Sequence, residues 1–352
     1  MAEMTSRERV LTVFEHREPD RVPRWCGASP EFREKACREL CLADEELSVR
    51  FGDDFRRVFS VYSGPEFPLS PGAESRTIFG IERSGIGYGQ PMSHPLASAD
   101  LCGIENYAWP DPGWIDVSGI AEEAAGYGGQ YAILGGDWSP FWHDAIDLVG
   151  MESLYLKMFD DPNFVDLLFS HIVDFYYEVS QRIFEVAAHE IDIFFIGNDF
   201  GGQTGPLLSP ALFDRFIIPH LISLVELGHR YGLKVQLHCC GGLSELFPAM
   251  IAGGLDAIHA VQPDCRGMEL GELKREYGGS LVFNGAIDSH HALIKGTPET
   301  VIAETKRVLD IMMPGGGYIG GASHDYILGE TPVENVVAMF DTIAEYGVYS
   351  QK

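Results

Sequence analysis

Residues 191–210 read Ile-Asp-Ile-Phe-Phe-Ile-Gly-Asn-Asp-Phe-Gly-Gly-Gln-Thr-Gly-Pro-Leu-Leu-Ser-Pro, and this stretch decides the fold. The apolar run Ile191–Ile196 is typical of a buried strand, and polar residues beside glycine follow it directly. Ser209 then precedes Pro210, a pair that starts a helix with a capping side chain and a proline in the first turn. The stretch therefore predicts a strand, a polar turn and a helix, in that order.

The same alternation recurs along the chain from about residue 130. Further apolar runs occur at Tyr131–Leu134, Lys234–Leu237, Ala257–Val261, Leu281–Phe283 and Tyr318–Ile319. Strands that alternate with helices form a parallel sheet. One or two further strands from the N-terminal third, such as Val22–Trp25, bring the count near eight. We therefore predict an α/β fold, a (β/α)₈ TIM barrel. No Gly-x-Gly-x-x-Gly turn follows a strand, which disfavours an open doubly wound sheet.

Residues 28–125 do not follow this alternation. Prolines and glycines are dense there, and Trp109 and Trp114 stand close together. This composition predicts short helices and long loops that cover the barrel mouth. We therefore treat residues 1–352 as a single domain. Residues 1–125 form an N-terminal extension with the first strand or strands, and residues 126–352 form the regular strand-helix repeats.

The composition excludes several classes of partner. The chain has 352 residues, with 25 Lys and Arg against 52 Asp and Glu, which gives a formal net charge of −27. Nucleic acids and anionic membranes require a basic face, so neither is expected to bind. No apolar run reaches the roughly 18 residues of a membrane span, and no signal peptide is visible. Seven cysteines, two of them adjacent, indicate a reduced cytoplasmic protein.

Polar side chains cluster after the strands. Catalytic groups of a barrel lie at the C-terminal ends of its strands, and six strand ends here carry Asp, Asn, His, Cys or Gln. We expect these residues to form one polar site, because burying them elsewhere would be costly. The candidates are Asp137, Trp138, Asn198, Asp199, Gln203, His238, Cys240, Gln262, Cys265, Asn284 and His324.

The sharpest signal is the pair His238-x-Cys240. Imidazole and thiolate two residues apart at a strand end can bind one metal ion, and zinc prefers nitrogen and sulfur ligands. A third ligand must come from another strand end, where His324, Cys265 and Asp199 are the candidates. The competing interpretation is that Cys240 is a small apolar core residue and that His238 is a satisfied core histidine.

Three further candidates also admit a structural role. Asp137 fits a cap on the next helix as well as it fits a site residue. Asp199 fits a cap less well, because Phe and Gly follow it rather than a helix. Trp138 belongs to an aromatic cluster that forms either loop core or the wall of a flat pocket.

These motifs resemble the uroporphyrinogen decarboxylase superfamily over nearly the whole chain. The stretches that carry the resemblance are Thr5–Val10, Glu18–Pro23, Gly197–Gly201, His238–Gly241, Phe283–Asp288, Gly315–Ile319 and Pro332–Asn335. The superfamily also contains corrinoid-dependent methyltransferases of the methylcobamide:coenzyme M type. The resemblance implies a (β/α)₈ barrel.

The resemblance is closer to the methyltransferase branch. Decarboxylases of the superfamily carry an arginine-rich stretch that holds the acidic porphyrinogen, and residues 24–30 here, Arg-Trp-Cys-Gly-Ala-Ser-Pro, lack most of those arginines. The methyltransferases carry His-x-Cys and a later Cys as zinc ligands, and His238 and Cys240 match. The later Cys is absent; His324 stands near its position, and Cys265 is the alternative.

The resemblance implies a zinc-dependent methyltransferase of a corrinoid system. It would move a methyl group between a small methylated substrate or thiol and a corrinoid protein, for example in O-demethylation. Zinc would hold an acceptor thiol as thiolate or polarise a methyl ether. The corrinoid (methylcobalamin) would come from a partner protein, because the chain lacks the Asp-x-His-x-x-Gly motif that binds it.

The same resemblance and the strand-end positions suggest roles for the remaining candidates. Asp199, Asn198 and Asn284 would be catalytic, and Gln203, Asp137, Trp138 and Gln262 would bind substrate. The alternatives are a decarboxylase of a porphyrinogen or another carboxylated ring, and a non-catalytic barrel that binds a tetrapyrrole or a partner protein. The sequence leaves open the methyl donor, the methyl acceptor and whether the chain forms a homodimer.

Overall fold

The computed structural model describes residues 3–85 and 89–349. Its centre is a seven-stranded sheet in which each strand pairs in parallel with the next along the chain. The strands are β1 (Phe55–Arg57), β2 (Ala132–Gly135), β3 (Ile193–Gly197), β4 (Lys234–His238), β5 (Ala257–Val261), β6 (Val282–Ile287) and β7 (Tyr318–Ala322). All six predicted apolar runs are therefore strands, and their sequential order gives a curled, TIM-barrel-like sheet.

Arg24 connects the two edges of this sheet. It forms an isolated parallel bridge with Gly320 on β7. Its carbonyl accepts a hydrogen bond from Asp54 N, next to β1, at 3.0 Å. The expected strand Val22–Trp25 is thus reduced to a single bridge, in the place where an eighth strand closes a barrel.

Helices surround the sheet and bury their apolar sides in the core. The first of them instead places Val10, Val13 and Phe14 in the apolar cluster inside the sheet. The helices are α1 (Ser6–Phe14), α2 (Pro30–Leu40), α3 (Asp44–Phe51), α4 (Leu101–Glu105), α5 (Ile120–Ala125), α6 (Phe141–Val149), α7 (Met151–Asp160), α8 (Pro162–Ala187), α9 (Pro210–Phe216), α10 (Ile218–Arg230), α11 (Phe247–Ala252), α12 (Leu270–Tyr277), α13 (Pro298–Met312) and α14 (Val333–Tyr346). The predicted start of α9 is confirmed, and Ser209 Oγ accepts a hydrogen bond from Leu212 N. Within the described ranges, no helix is both long enough and apolar enough to cross a membrane.

The N-terminal third combines short helices with small sheets and loops. Short antiparallel strands pair Val61–Tyr62 with Ile115–Asp116, Ser75–Arg76 with Glu82–Ser84, Glu82–Ser84 with Gln90–Pro91 and, beyond β3, Gly201–Gly202 with Gly205–Pro206. The density of Pro and Gly predicted short helices and long loops here and did not predict these short strands. Sequence analysis missed β1, because its three residues include two arginines and form no apolar run.

The interior of the sheet is apolar near the N-terminal ends of the strands and polar near their C-terminal ends. Alternate residues point inward along a strand, and Ile193 and Phe195 on β3 both belong to the inner apolar cluster. The buried polar residues His238, His259 and Asn284 come from β4, β5 and β6. The polar end is where sequence analysis places the site.

Candidate active site

Three side chains with metal-binding atoms meet at the C-terminal ends of β3 and β4. His238 ends β4 and pairs with Gly197 at the end of β3, two residues before Asp199. His238 Nε2 lies 3.5 Å from Asp199 Oδ1 and 3.5 Å from Cys240 Sγ. The three ligand atoms lie within 4.8 Å of one another, so one cation can contact all three. We call Asp199, His238 and Cys240 the metal-binding cluster.

Glycine allows the two strand ends to approach closely enough to form this cluster. Cys240 N donates to Asp199 Oδ1 at 2.8 Å, which ties the turn after β4 to the turn after β3. Gly241 has a φ of +94°, and a Cβ there would lie 2.4 Å from the carbonyl carbon of Gly201. A larger residue at position 241 would strain the backbone and push the two turns apart.

The groups of the metal-binding cluster shift one another's pKa. Burial alone would raise the pKa of Asp199, but hydrogen bonds from His143, His238 and the Cys240 N–H hold that pKa well below its usual range. Burial alone would lower the pKa of His238, but hydrogen bonds to Asp199 and Cys240 raise it well above its ordinary value. Burial raises the pKa of the Cys240 thiol. A cation that binds here therefore displaces protons from His238 and Cys240.

Three further residues surround the metal-binding cluster; His259 and Asp325 were not predicted, and His143 was predicted only as a member of the aromatic cluster that contains Trp138. His143 Nε2 lies 3.4 Å from Asp199 Oδ2. On the far side of the His238 ring, Nδ1 lies 3.1 Å from His259 Nδ1 and 3.7 Å from Asp325 Oδ1. The period of two along β5 marks His259 as an inward residue and is a signal that could have found it. His143 on α6 and Asp325 in a loop carry no comparable pattern.

The other two predicted third ligands lie apart from this cluster. Across residues 3–85 and 89–349, no group of three ligand atoms within 4.8 Å includes His324 or Cys265. His324 Nδ1 lies 3.1 Å from Tyr326 O, so its ring is turned back onto the loop after β7. Cys265 is buried, and its thiol lies 3.6 Å from Gln262 Oε1. In this geometry Asp199, rather than His324 or Cys265, stands beside the His-x-Cys pair.

Asn198 is buried and holds the loop that follows β2. Its Oδ1 accepts a hydrogen bond from Trp142 N at 2.9 Å. Its Nδ2 donates to Ser139 O at 3.0 Å. The side chain therefore supports the walls of the site through the backbone, and its predicted catalytic role stays a prediction.

Asn284 lies inside the barrel rather than at its rim. The prediction that the strand ends at Phe283 is wrong, because β6 continues to Ile287. Asn284 is consequently buried within the strand, where its Nδ2 lies 3.4 Å from Gln236 Oε1. An alternating Asn-Gly-Ala stretch gives no apolar run, so sequence analysis ended the strand too early. The predicted catalytic role of Asn284 stays untested.

Gln262 and Gln203 both lie close to the turn after β4. Gln262 Oε1 accepts a hydrogen bond from Gly241 N at 2.8 Å and so fixes the residue next to Cys240. Gln203 is exposed, and its carbonyl accepts a hydrogen bond from Arg266 N at 3.0 Å. Gln262 therefore supports the metal-binding cluster directly, and a substrate contact for either glutamine stays a prediction.

Asp137 and Trp138 form the wall of the site on the β2 side. Asp137 Oδ1 accepts a hydrogen bond from Ser139 N at 3.0 Å, as in a tight turn, and burial raises its pKa. The Trp138 ring stacks on His238 with centroids 5.5 Å apart and planes 27° apart. The alternative that Asp137 caps the next helix is wrong, because Pro140 is at the N-cap of α6 and no side chain caps that helix. Trp138 is a flat wall beside a predicted metal ligand, and substrate binding by Asp137 and Trp138 stays a prediction.

Trp138 also lines two cavities. One measures about 1420 Å³ and extends into the N-terminal extension, with an aromatic lining. Its aromatic residues are Tyr62, Phe67, Phe79, Tyr107, Trp109, Trp114, Trp138, Phe175 and Tyr176. The other measures about 280 Å³ and lies among Arg57, Phe59, Asp325 and Tyr326. The indole of Trp138 is therefore shared by the metal-binding cluster and by the space in which a flat or apolar group fits.

Comparison with known proteins identifies related sequences. The profile of a family described as uroporphyrinogen decarboxylase (URO-D) matches residues 117–346. The methylcobamide:CoM methyltransferase MtbA of Methanosarcina mazei is 23% identical over 363 aligned positions, which cover 98% of this chain and 99% of that protein. Uroporphyrinogen decarboxylase of Aromatoleum aromaticum is 26% identical over 278 positions, which cover 74% of this chain and 72% of that protein.

The fold has a relative among solved structures. A methyltransferase from Methanosarcina mazei matches with a TM-score of 0.71 and 19% sequence identity, and the match covers 98% of this chain and 99% of that chain. This likeness supports the TIM-barrel-like fold. The match to the methyltransferase sequence spans the whole chain, whereas the match to the decarboxylase of Aromatoleum aromaticum spans about three quarters of it.

Proposed function

Because the chain belongs to the uroporphyrinogen decarboxylase family, we propose that it is a zinc-dependent methyltransferase of a corrinoid system. It would move a methyl group between a small methylated compound or thiol and a corrinoid held by a partner protein. The observation that carries this proposal is the metal-binding cluster, in which His238 Nε2 faces Asp199 and Cys240 at 3.5 Å each.

The donor set of the metal-binding cluster fits zinc. One imidazole nitrogen, one sulfur and one carboxylate oxygen are donor types that Zn²⁺ accepts in tetrahedral sites. Three protein ligands leave one position for a substrate atom, as in catalytic sites. Bound there, zinc supplies a Lewis acid that holds a thiol as thiolate or polarises an ether oxygen.

The chain's own residues orient the reacting groups. Asp199 keeps a negative charge beside His238, and its hydrogen bond from Cys240 N fixes the position of the thiol. Gln262 Oε1 restrains the turn from the other side through Gly241 N. Trp138 presents a flat apolar surface next to the metal-binding cluster, which excludes water from that side of the site.

The N-terminal extension would cover this mouth and receive the larger partner. Its residues Arg57 and Phe59 line a cavity together with Trp138 and Asp325. Arg57 lies over the Trp138 ring at 5.0 Å and so stiffens the wall by a cation–π contact. The corrinoid partner is proposed from the likeness to the methylcobamide:CoM methyltransferase.

A methyl-transfer assay tests this function. The zinc-loaded protein is mixed with methylcobalamin and a panel of thiols, and separately with cob(I)alamin and a panel of methyl ethers and methylamines. Absorbance then reports loss or gain of the cobalt–methyl bond. We expect Cys240→Ala to lower the rate at least about 100-fold, since ligand loss removes the polarising metal.

The adjacent cysteine is the matched control. Cys239 is buried, and its thiol accepts a hydrogen bond from Phe200 N at 3.1 Å, outside the metal-binding cluster. Cys239→Ala should keep methyl transfer close to the wild-type rate. Equal rates in Cys240→Ala and the wild type, or no methyl transfer with any member of either panel, would contradict the proposal.

The second candidate is decarboxylation of a porphyrinogen or another carboxylated ring. The similarity to uroporphyrinogen decarboxylase of Aromatoleum aromaticum favours it. Such a reaction needs no zinc, so it should survive chelation and Cys240→Ala. Metal-independent loss of carboxyl groups from uroporphyrinogen would replace the methyltransferase proposal.

A further inference from the structure

His238 uses one of its two ring nitrogens in the metal-binding cluster. Its Nε2 faces Asp199 and Cys240, whereas its Nδ1 lies 3.1 Å from His259 Nδ1. Both histidines are buried, with exposed fractions of 4% and 0%. A hydrogen bond between two imidazole nitrogens needs one proton between them, so the tautomer of one ring fixes the tautomer of the other.

We propose that His259 is a positioning residue, which accepts the Nδ1–H hydrogen bond of His238 and keeps the Nε2 lone pair of His238 directed at the cation. This inference rests on the proposed function, since it concerns a metal ligand named there. A neutral imidazole that binds a cation through Nε2 carries its proton on Nδ1. His259 Nδ1, at 3.1 Å, is a nearer acceptor for that proton than Asp325 Oδ1, at 3.7 Å.

The proton of His259 then lies on Nε2 and needs an acceptor of its own. Among the residues that the structure describes, His259 Nε2 and Asn284 Oδ1 have no hydrogen-bond partner. Ile258 on β5 pairs with Phe283 on β6, and the register of the ladder shifts between Ile258 and Val261, so His259 lies at the irregular part of β5.

Gln236 completes this buried group beneath the metal-binding cluster. Its Oε1 accepts from Asn284 Nδ2 at 3.4 Å, and its Nε2 has no partner among the described residues.

Three substitutions at position 259 separate the two contacts of the ring. His259→Asn keeps an acceptor at the place of Nδ1, His259→Gln keeps a polar atom at the place of Nε2, and His259→Phe fills the volume with neither. Zinc affinity of each purified full-length variant is measured by competition with a chromophoric chelator, with zinc alone as the ligand. The thermal midpoint of each metal-free variant is measured in parallel.

We expect the order Asn, Gln, Phe in falling zinc affinity. His259→Phe should bind zinc about 10- to 100-fold more weakly than the wild type, and His259→Asn should stay within about threefold. The inference is overturned if Asn and Phe bind zinc equally, or if affinity follows the thermal midpoints rather than the Nδ1 acceptor. If the wild type binds no zinc, the proposed function fails together with this inference. If the wild type binds zinc but the Asn and Phe variants bind it equally, only this inference fails.

The wild type provides a second readout that needs no variant to fold. Protein labelled with ¹⁵N-histidine and loaded with zinc should show His238 protonated on Nδ1 and its Nε2 bound to metal. It should also show His259 protonated on Nε2. Binding of zinc through Nδ1 of His238, or a proton on Nδ1 of His259, would contradict the inference.

Discussion

Two buried polar groups lie at opposite ends of the sheet, and they differ in how completely they are bonded. Asp54 precedes β1, and its two carboxylate oxygens accept four hydrogen bonds of 2.8 Å from Arg9, Arg21 and Arg24 N. At the other end His238 stands 3.5 Å from each neighbour in the metal-binding cluster, and the His259 ring beneath it has an unpartnered nitrogen within the described residues. A buried polar group whose hydrogen bonds are all made (a saturated group) stabilises the fold. A buried polar group with unmade hydrogen bonds (an unsaturated group) can bind a ligand.

The largest effect on stability is expected when Asp54, the saturated group, is removed. Asp54→Ala leaves the buried Arg9 and the half-buried Arg21 without their shared carboxylate. This should lower the free energy of unfolding by about 3–5 kcal/mol. Zinc affinity should stay unchanged, because the site is at the opposite end. Urea unfolding and a zinc titration on the same sample measure both.

An exposed ion pair supplies the control for that experiment. Arg50 and Asp341 pair at 2.7 Å with side chains 39% and 46% exposed. Asp341→Ala should therefore cost no more than about 1 kcal/mol. If Asp54→Ala costs no more than this control, the saturated group does not stabilise the fold in the way we describe.

A smaller effect is expected when the metal-binding cluster loses Asp199 as a ligand. Asp199→Asn keeps an oxygen that can accept from Cys240 N but removes the negative ligand. We expect zinc affinity to fall by about 100-fold, roughly 2.8 kcal/mol. Asp137→Asn, on the neighbouring turn, is the control and should leave zinc affinity as in the wild type. Unchanged affinity in Asp199→Asn would remove Asp199 from the metal-binding cluster.

The smallest effect concerns Asp144, a buried carboxyl that belongs neither to the group around Asp54 nor to the metal-binding cluster. Burial raises the pKa of Asp144 to about 7, although the hydrogen bond from Tyr176 at 2.5 Å opposes the rise. The folded protein thus retains a proton that the unfolded chain releases near pH 4. The carboxyl therefore contributes most to stability at low pH, and that contribution falls as pH rises toward 7.

Asp144→Asn imitates the protonated form and should remove this dependence. Urea unfolding at pH 5 and at pH 8 should show that the wild type loses more stability than the variant over this interval. If the stability of the two proteins depends on pH in the same way, the raised pKa of Asp144 is contradicted.

The sequence predicted the repeating part of the fold well, because buried parallel strands are continuous apolar runs that need no context. It missed β1 since Phe55–Arg57 has no such run and is a strand only by pairing with β2. It shortened β6 for the same reason, and so placed Asn284 at the rim. Local pattern alone does not reveal pairing partners.

The candidate site was predictable in part. The spacing of His238 and Cys240 identified the pair, and Asp199 was among the three candidates for a third ligand. His324 stays a prediction as third ligand; its ring lies against Tyr326 O, a contact within an irregular loop that the sequence pattern does not reveal. His143, His259 and Asp325 approach the pair only through tertiary packing, which a single sequence does not specify.

X-ray absorption at the zinc edge of the purified wild type tests whether Asp199, His238 and Cys240 bind zinc. We expect about one zinc per chain, with one sulfur near 2.3 Å and the remaining ligands nitrogen or oxygen near 2.0–2.2 Å. We also expect that the sulfur signal disappears in Cys240→Ala and persists in Cys239→Ala. Two sulfur ligands would indicate that Cys265 joins the site in place of Asp199, and a wild type without zinc or without any zinc–sulfur distance would contradict the account.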